Sequence, residues 1–278
     1  MNGMVDLKPL VEAWPTANSV LVVTAANASL DQWAASLGLW VAIKEAGKTV
    51  IMASAGKPTV ADSNLVGVDQ VTEKLGNRNL VISFDYVQDA IEKVSYNVEG
   101  KKFNLVIQPK EGSKSLDPAS VNYAYEGSDA QVVFVVGAKT LAELGDIYLT
   151  EKKVFDQAMV VNIDNQMGNA KYGQVNVVDP QTVALSQLTL TVMESLGLPL
   201  SADSAGNLLQ GLEAATQKWQ HPNLTAETFE AAAALMRAGG QRKTAPTAKQ
   251  VASAQQFSQV LKQLTPRPAA DKLAMEEP

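Results

Sequence analysis

Two short runs of apolar residues place the strongest constraint on the fold of this chain. AQVVFVVGA (130–138) and AMVVNID (158–164) are apolar at nearly every position. A strand with one face in water alternates apolar and polar residues, whereas a strand buried on both faces does not. The two runs therefore predict parallel strands inside a sheet that is covered on both sides.

The segments around these runs alternate between strand and helix patterns. Residues 19–25, 48–54 and 79–86 are predicted strands, and residues 29–47 and 62–76 are predicted helices. Such alternation is typical of an α/β fold. We therefore expect a mostly parallel, doubly wound sheet with helices on both faces.

Two regions depart from the alternation. Apolar residues at every second position on both sides of Glu99 and Gly100 predict a hairpin over 93–109, at an edge of the sheet. After residue 180, helical spacing predicts helices at 183–197, 202–215 and 225–238. We therefore expect one α/β domain over 1–240, whose second part, from about 181 to 240, is helical.

Residues 241–278 are predicted to form a linker that contains an amphipathic helix at 245–264 and ends in a flexible tail. A helix of this kind docks on its own domain, on a partner protein or on a second copy of the chain. The segment carries dispersed cations and no acidic residue before Asp271. Dispersed cations without interleaved aromatic residues favour a solvated linker over nucleic-acid contact.

Composition excludes several kinds of chemistry. The chain has no cysteine, which excludes disulfides, thiolate metal sites and thiol nucleophiles, and its one histidine, His221, lies in a polar segment. The net charge of −6 disfavours bulk attraction to nucleic acid. No apolar run is long enough to cross a membrane, and the N-terminus lacks the pattern of a signal peptide. We expect a cytoplasmic protein without membrane contact.

In a doubly wound sheet, ligands bind beyond the carboxyl ends of the strands. Only two carboxylates follow the predicted strands closely, Asp31 and Asp164. Amide side chains follow them too. The candidate ligand-binding residues among these amides are Asn27, Asn165, Gln166 and Asn169.

Three segments resemble the DHH phosphoesterases, in particular the RecJ-like and nano-RNase-like members. AANASLDQ (25–32) resembles the family motif H-x-N-P-D-G-D-A. IDNQMGNAKYGQVNVVDP (163–180) resembles the D-H-H motif and the N-x-x-F-G-x-x-N-x-V-D-P that follows it. GLEAATQKWQ (211–220) resembles G-I-x-T-D-T-G-x-F. This resemblance implies that Trp219, a further candidate ligand-binding residue, stands where the family has a phenylalanine near the cleft. The resemblance, over about 18–240, implies a DHH-type domain that cleaves phosphoester bonds with two manganese ions.

The same resemblance implies that most of the metal ligands are missing. Of six ligand positions, only Asp31 keeps the residue of the family, and Asp164 matches a position that supports the site. The other five ligand positions are occupied by Ala25, Ser29, Gly137, Asn165 and Ala215. Altering a group that merely supports a metal ligand costs roughly 10–100-fold in affinity or activity. Five lost ligands therefore predict that no metal pair binds.

Other family features are also replaced. Gln166 stands where the resemblance implies a histidine that contacts the substrate phosphate, and Val183, Ala184 and Leu185 replace a Ser/Ser/Thr group. Nothing in the chain resembles the DHHA1 domain, which carries a glycine-rich substrate loop in the family. These three differences point away from the chemistry of the family.

Three functions remain open at this stage. The first is a non-catalytic DHH-like protein with a binding, scaffolding or regulatory role towards a nucleotide, a short RNA or a protein, using Asp164 and its amide neighbours as a polar pocket. The second is a divergent phosphodiesterase that acts on short oligonucleotides or nucleotides. It would use one weakly bound Mn²⁺ or Mg²⁺ on Asp31 and Asp164, or ligands supplied by a partner chain. The third is a structural subunit that assembles through the helix at 245–264. The lost ligands favour the first, which needs no cofactor.

Overall fold

A five-stranded parallel sheet forms the centre of the computed structural model, which describes residues 6–75, 79–85, 87–126 and 128–242. The strands of the described residues are β1 (Ser19–Thr24), β2 (Thr49–Ala53), β3 (Asn79–Ser83), β4 (Ile91–Glu99), β5 (Lys102–Pro109), β6 (Asn122–Glu126), β7 (Val132–Val136), β8 (Met159–Asp164) and β9 (Val175–Val178). The α-helices are α1 (Lys8–Ala13), α2 (Leu30–Glu45), α3 (Asp146–Thr150), α4 (Lys152–Gln157), α5 (Leu185–Ser195), α6 (Ala202–Ala215) and α7 (Ala226–Arg237).

The central sheet has the strand order β2-β1-β7-β8-β9, and every neighbouring pair in it is parallel. Val22 of β1 lies opposite Met52 of β2 and Phe134 of β7. After β1, the chain adds β2 on one side of β1 and later adds β7 on the opposite side of β1. A crevice is expected at such a reversal of strand order, between the carboxyl ends of β1 and β7.

Both faces of the sheet are covered, as the apolar runs predicted. Val132, Phe134 and Val136 of β7 pack in the larger core with α2, α5, α6 and α7, while Val133 and Val135 face a smaller core with α3 and α4. All five side chains are buried. The predicted doubly wound α/β fold is thus confirmed, although the second face is covered by short helices.

Helix α2 lies between the sheet and the C-terminal helices. Ser29 caps its N-terminus in a capping box with Gln32, and Gly47 follows its C-terminus at φ +80°. Gly38 lets α6 come close, because a Cβ at this position would lie 2.8 Å from Leu208. The predicted helices at 29–47, 183–197, 202–215 and 225–238 correspond to α2, α5, α6 and α7.

The predicted helix at 62–76 is wrong. Over 62–75, the part of this segment that the structure describes, the only helical elements are short 3-10 turns, at Val60–Asp62 and Val68–Gln70. The Asn207 side chain accepts a hydrogen bond from the Val66 N–H at 2.8 Å and donates to the Val66 carbonyl at 2.9 Å. Because Gly67 next to it has φ +86°, the backbone turns away from a helical path.

Two strand predictions need correction in their placement. Strand β3, predicted as part of the parallel sheet, instead pairs antiparallel with β6 in a separate two-stranded sheet. The predicted hairpin forms from β4 and β5, but it is a second separate sheet and not an edge of the central one. Strand β9, which lies at an edge of the central sheet, was not predicted.

The helix predicted at 245–264 lies outside the described residues, as does most of the segment 241–278. Within the residues that are described, no helix has both the length and the apolar character that a bilayer span requires.

Candidate functional site

A cavity of about 530 Å³ opens at the carboxyl end of the central sheet, where the strand order predicts a crevice. It lies between the start of α2, the loop after β8, the start of α5 and the end of α6. Its lining residues are Ser29, Leu30, Asp31, Gln32, Asn165, Gln166, Val183, Leu185, Ala214 and Ala215. This volume falls in the range of small-molecule sites. The structure thus brings together several residues that the sequence predicted for the site.

Asp31 lies in the first turn of α2, with 8% of its surface exposed. One carboxylate oxygen accepts from the Leu185 N–H at 2.6 Å, and the other from the N–H and the hydroxyl of Ser186 at 3.1 and 2.5 Å. Asp31 therefore caps α5, which has no side-chain cap of its own. Burial raises the pKa of Asp31 to about 6, and these hydrogen bonds oppose the rise.

Asp164 is fully buried at the end of β8, below the cavity, and is surrounded by amide donors. Its Oδ1 accepts from the backbone N–H and Nε2 of Gln166, at 3.3 and 3.1 Å. Its Oδ2 accepts from Nδ2 of Asn169 at 2.7 Å. Asp164 therefore fixes the loop that follows its own strand.

Asn169 belongs to a network below the cavity and does not line it. Its Nδ2 also donates to Ala138 and Asn162, and its Oδ1 accepts from Asn162 and from the Lys171 N–H. Asn176 extends the network through Asn162 at 3.0 Å. These asparagines hold the loop between β8 and β9 in place.

Two glutamines fill the space beside Gly137, which follows β7 at φ +74°. Nε2 of Gln32 and Nε2 of Gln166 both donate to the Gly137 carbonyl, at 2.5 and 3.2 Å. A Cβ at Gly137 would lie 2.5 Å from the side chain of Gln32. The position where the resemblance implies an aspartate ligand is therefore packed by a neutral amide.

Asn165 lies at the cavity and ties the loop after β8 to the segment before α5. Its Nδ2 donates to the carbonyls of Thr182 and Val183, both at 3.1 Å. Gln166, the next residue, also lines the cavity, and its Nε2 donates to the Gly137 carbonyl and to Oδ1 of Asp164. Both amide nitrogens are therefore engaged within the protein.

The remaining candidates lie away from the cavity lining. Asn27 is exposed in the loop after β1. Trp219 is half-buried and stacks on Phe229, with ring centroids 5.9 Å apart. His221 accepts a hydrogen bond from the Asn223 N–H at 3.2 Å in the loop before α7. None of these three side chains contributes to the cavity lining.

Sequence reasoning missed Gln32 and Gly211. Ser29 followed three residues later by Gln32 is the signature of a capping box, which could have drawn attention to Gln32. Gly211 of α6 gave no signal in the sequence. A Cβ there would lie 2.2 Å from the Ser186 hydroxyl and 2.7 Å from Oδ1 of Asp31, so only glycine leaves room for this contact.

Comparison with known proteins gives one sequence match and a fold match. The chain is 31% identical over 83 residues to the bifunctional oligoribonuclease and PAP phosphatase NrnA of Thermus thermophilus. The match covers 30% of this chain and 26% of that protein. The fold resembles an exopolyphosphatase-related protein from Bacteroides fragilis, with a TM-score of 0.60 and 10% identity over 87% of this chain and 59% of that one. No family model matches the chain.

The chain is related to the DHH phosphoesterases. The sequence match to NrnA agrees with the family resemblance found in the sequence, and the α/β fold agrees with that of the structural neighbour. A putative family II inorganic pyrophosphatase from Methanococcus jannaschii has a TM-score of 0.45 at 13% identity, over 81% of this chain and 57% of that one. The chain spans only about a quarter of the NrnA relative in the matched segment.

The crevice of this DHH relative does not fit the metal pair of the family. Both oxygens of Asp31 and both oxygens of Asp164 already accept hydrogen bonds from the protein. In the part of the chain that the structure describes, no three His, Cys, Asp or Glu side chains come together as a metal-binding group. A pair of divalent ions needs several shared carboxylate or imidazole ligands.

Proposed function

We propose that this chain is a non-catalytic DHH-like protein that binds a small neutral ligand, such as a nucleobase, in the cavity at the end of the sheet. One observation carries the proposal. Among the described residues, the two carboxylates at the crevice, Asp31 and Asp164, use their oxygens for internal hydrogen bonds. The polar groups of the crevice are thus mostly amides that bind each other and the two carboxylates. A binding or regulatory role fits such a crevice better than hydrolysis.

The hydrogen bonds of the two amides at the cavity indicate what the ligand must offer. Each amide nitrogen faces two acceptors, namely carbonyls or a carboxylate, so the orientation of each amide is fixed by its partners. Among the described residues, no protein donor reaches Oδ1 of Asn165 or Oε1 of Gln166. Two amide oxygens are therefore left to accept hydrogen bonds from a ligand.

These oxygens favour a hydrogen-bond donor over an anion. A phosphate group offers acceptors, and it would lie near the carboxylate of Asp31. The exocyclic amino group of a base offers donors, and its ring would fit the apolar part of the wall. That wall is formed by Leu30, Val183, Leu185, Ala214 and Ala215. We therefore expect the base of a nucleotide or short RNA to bind more strongly than its phosphate.

The test is an activity assay followed by a binding assay. Purified protein is incubated with a labelled dinucleotide and Mn²⁺, and we expect no turnover above a protein-free control. Binding of adenosine and of inorganic phosphate is then measured by calorimetry. We expect adenosine to bind and inorganic phosphate not to bind. Asn165→Leu should weaken the binding of adenosine by about 10-fold or more. Asn27→Ala, outside the cavity, is the control and should leave binding unchanged.

A second candidate is a divergent phosphodiesterase that acts on short oligonucleotides or nucleotides with one Mn²⁺ or Mg²⁺. The 31% identity to NrnA, a protein described as an oligoribonuclease, supports it. It requires Asp31 or Asp164 to give up an internal hydrogen bond to an ion. Turnover of the dinucleotide that requires Mn²⁺ and disappears in Asp31→Ala would establish this candidate and reject the binding protein.

The third candidate is a structural subunit, and the same experiments distinguish it from a binding protein and from an enzyme. If neither turnover nor binding of a base is observed, the cavity has no ligand of the proposed class. Assembly, including the predicted helix at 245–264, would then be the remaining function.

A further inference from the structure

The hairpin formed by β4 and β5 carries a continuous apolar face. Directly opposed residues of an antiparallel pair point to the same side, and the side alternates along each strand. The opposed pairs Val94 with Ile107, Tyr96 with Leu105 and Val98 with Phe103 therefore share one side. We call these six residues the hairpin face.

The hairpin face is open to solvent. Val94, Tyr96, Val98 and Phe103 are 58–71% exposed, and Leu105 is 45% exposed. Tyr96 and Phe103 stack across the strands, with ring centroids 5.4 Å apart and an angle of 18° between the rings. The stacked pair joins the two strands by an aromatic contact within the hairpin face.

The opposite side of the hairpin is different in character. It presents Lys93, Ser95, Asn97, Asn104 and Gln108, together with one apolar residue. Asn104 and Asn97 form a cross-strand hydrogen bond of 2.8 Å on this side. A strand pair that is polar on one side and apolar on the other is built to cover something with its apolar side. No strand of the central sheet pairs with this hairpin.

We propose that a second copy of this chain packs its own hairpin face against this one, so that two hairpins form a small sandwich across a twofold axis. Charge supports this occupant. All six residues of the hairpin face are neutral, so two copies meet without repulsion between like charges. Lys93, Glu99 and Lys102 belong to pairs on the polar side, Lys101 lies at the turn, and all four are exposed.

The area also fits a second copy. The exposed parts of five large side chains offer on the order of 500 Å² per copy, since an aromatic side chain alone can bury 150–250 Å². Two copies would bury on the order of 1,000 Å², which is near the lower limit for a specific interface. A dimer of micromolar affinity is therefore expected. Aromatic residues at the centre of such a patch usually dominate binding.

The inference goes beyond the proposed function, because the hairpin face and the cavity share no residue. Each can therefore be tested without the other. Loss of dimerisation would leave base binding at the cavity as it is, and a cavity variant would leave the dimer intact.

The test is sedimentation equilibrium of the full chain between about 1 and 200 µM, with a pair of matched variants. Leu105 and Val106 are adjacent, and each is 45% exposed, but they lie on opposite sides of the hairpin. We expect Leu105→Asn to weaken the dimer by about 10-fold and Val106→Asn to leave it unchanged. Tyr96→Ser combined with Phe103→Ser should give a monomer over the whole range. Circular dichroism and thermal unfolding confirm that each variant is folded.

Two outcomes would overturn the proposal. One is a wild-type chain that stays monomeric at 200 µM, which would mean that no second copy covers the hairpin face. The other is a dimer that Leu105→Asn and Val106→Asn weaken equally, or that survives the double substitution at Tyr96 and Phe103. A dimer that behaves in either of these two ways would form its contact through another surface.

Discussion

At the scale of single residues, Asp31 connects two helices. Its backbone lies in the first turn of α2, and its carboxylate accepts from the first N–H groups of α5. Two helix N-termini, each with a partial positive charge, therefore surround one carboxylate. Burial acts in the opposite direction and raises the pKa of Asp31 to about 6. The balance between these two effects determines how the stability of the protein depends on pH.

Replacing Asp31 with asparagine should change the pH dependence of stability. The pKa of the folded state, about 6, lies above the ordinary value of 3.8, so the folded state holds the proton more tightly. The stabilisation from Asp31 is then complete below about pH 4 and is lost as the pH rises through 6. Relative to Asp31→Asn, the wild type should lose up to about 3 kcal/mol of unfolding free energy between pH 4 and 7.

Urea unfolding of both proteins at several pH values measures this difference. Asp203→Asn is the control, because Asp203 is exposed in the first turn of α6. It should show a smaller difference from the wild type. A wild type that gains stability over Asp31→Asn as the pH rises from 4 to 7 would contradict the expected sign.

At the scale of elements, the contact of α6 with α2 and α5 depends on the lack of a side chain at Gly211. We expect Gly211→Ala to destabilise the fold by about 1–3 kcal/mol, because its Cβ would overlap Ser186 and Ala34 as well as Asp31. Gly206 lies on the same helix with no atom within 4 Å of an added Cβ. Gly206→Ala should instead stabilise it by about 0.5–1 kcal/mol.

Thermal and urea unfolding of this glycine pair provide the measurement. Opposite signs for the two substitutions would support close packing around Asp31. Equal effects would show that helix propensity alone governs both positions, and that α6 can move away from the carboxylate at little cost.

Local patterns predicted most of the central fold correctly. Continuous apolar runs identified β7 and β8, and helical spacing identified α2, α5, α6 and α7, because these elements satisfy their backbone groups locally or are buried on both faces. The segment 62–76 also has helical spacing, but Asn207, distant in sequence, binds both backbone groups of Val66. A contact between residues 141 positions apart leaves no local signal.

For the candidate site too, local sequence was enough to select residues, but contacts between distant residues could not be predicted. Position after a strand was enough to select Asp31, Asp164, Asn165 and Gln166, because parallel strands bring their carboxyl ends to one edge. What each of these side chains binds could not be predicted. The cap that Asp31 provides for α5 joins residues more than 150 positions apart. Asn27 was selected by its position after a strand and Trp219 by the resemblance to the family, and the structure places both outside the cavity lining.

At the scale of the whole molecule, internal hydrogen bonds and metal binding compete for the same carboxylates. A ligand that binds only the folded state raises its stability, by about 2.7 kcal/mol when present at 100 times its dissociation constant. For a domain of this size, that would raise the melting temperature by roughly 5–10 °C. A functional metal site should therefore be visible in thermal unfolding.

We expect 1 mM Mn²⁺ to change the melting temperature by less than about 1 °C, because a bound ion would have to displace protein donors from Asp31 or Asp164. The same scan with Mg²⁺, and with EDTA, is the control. A rise of several degrees that is specific to Mn²⁺ and absent in Asp31→Asn would contradict this expectation and favour the phosphodiesterase.

The cap that Asp31 provides for α5 also limits protein engineering if the chain is the binding protein that we propose. Introducing histidines and aspartates one at a time to make a hydrolase should then be unfavourable at each step. An aspartate at Gly137 would have to expel Gln32, and an ion drawn to Asp31 would leave the first turn of α5 without its acceptor. Only a coordinated redesign of several positions could turn this crevice into a metal centre.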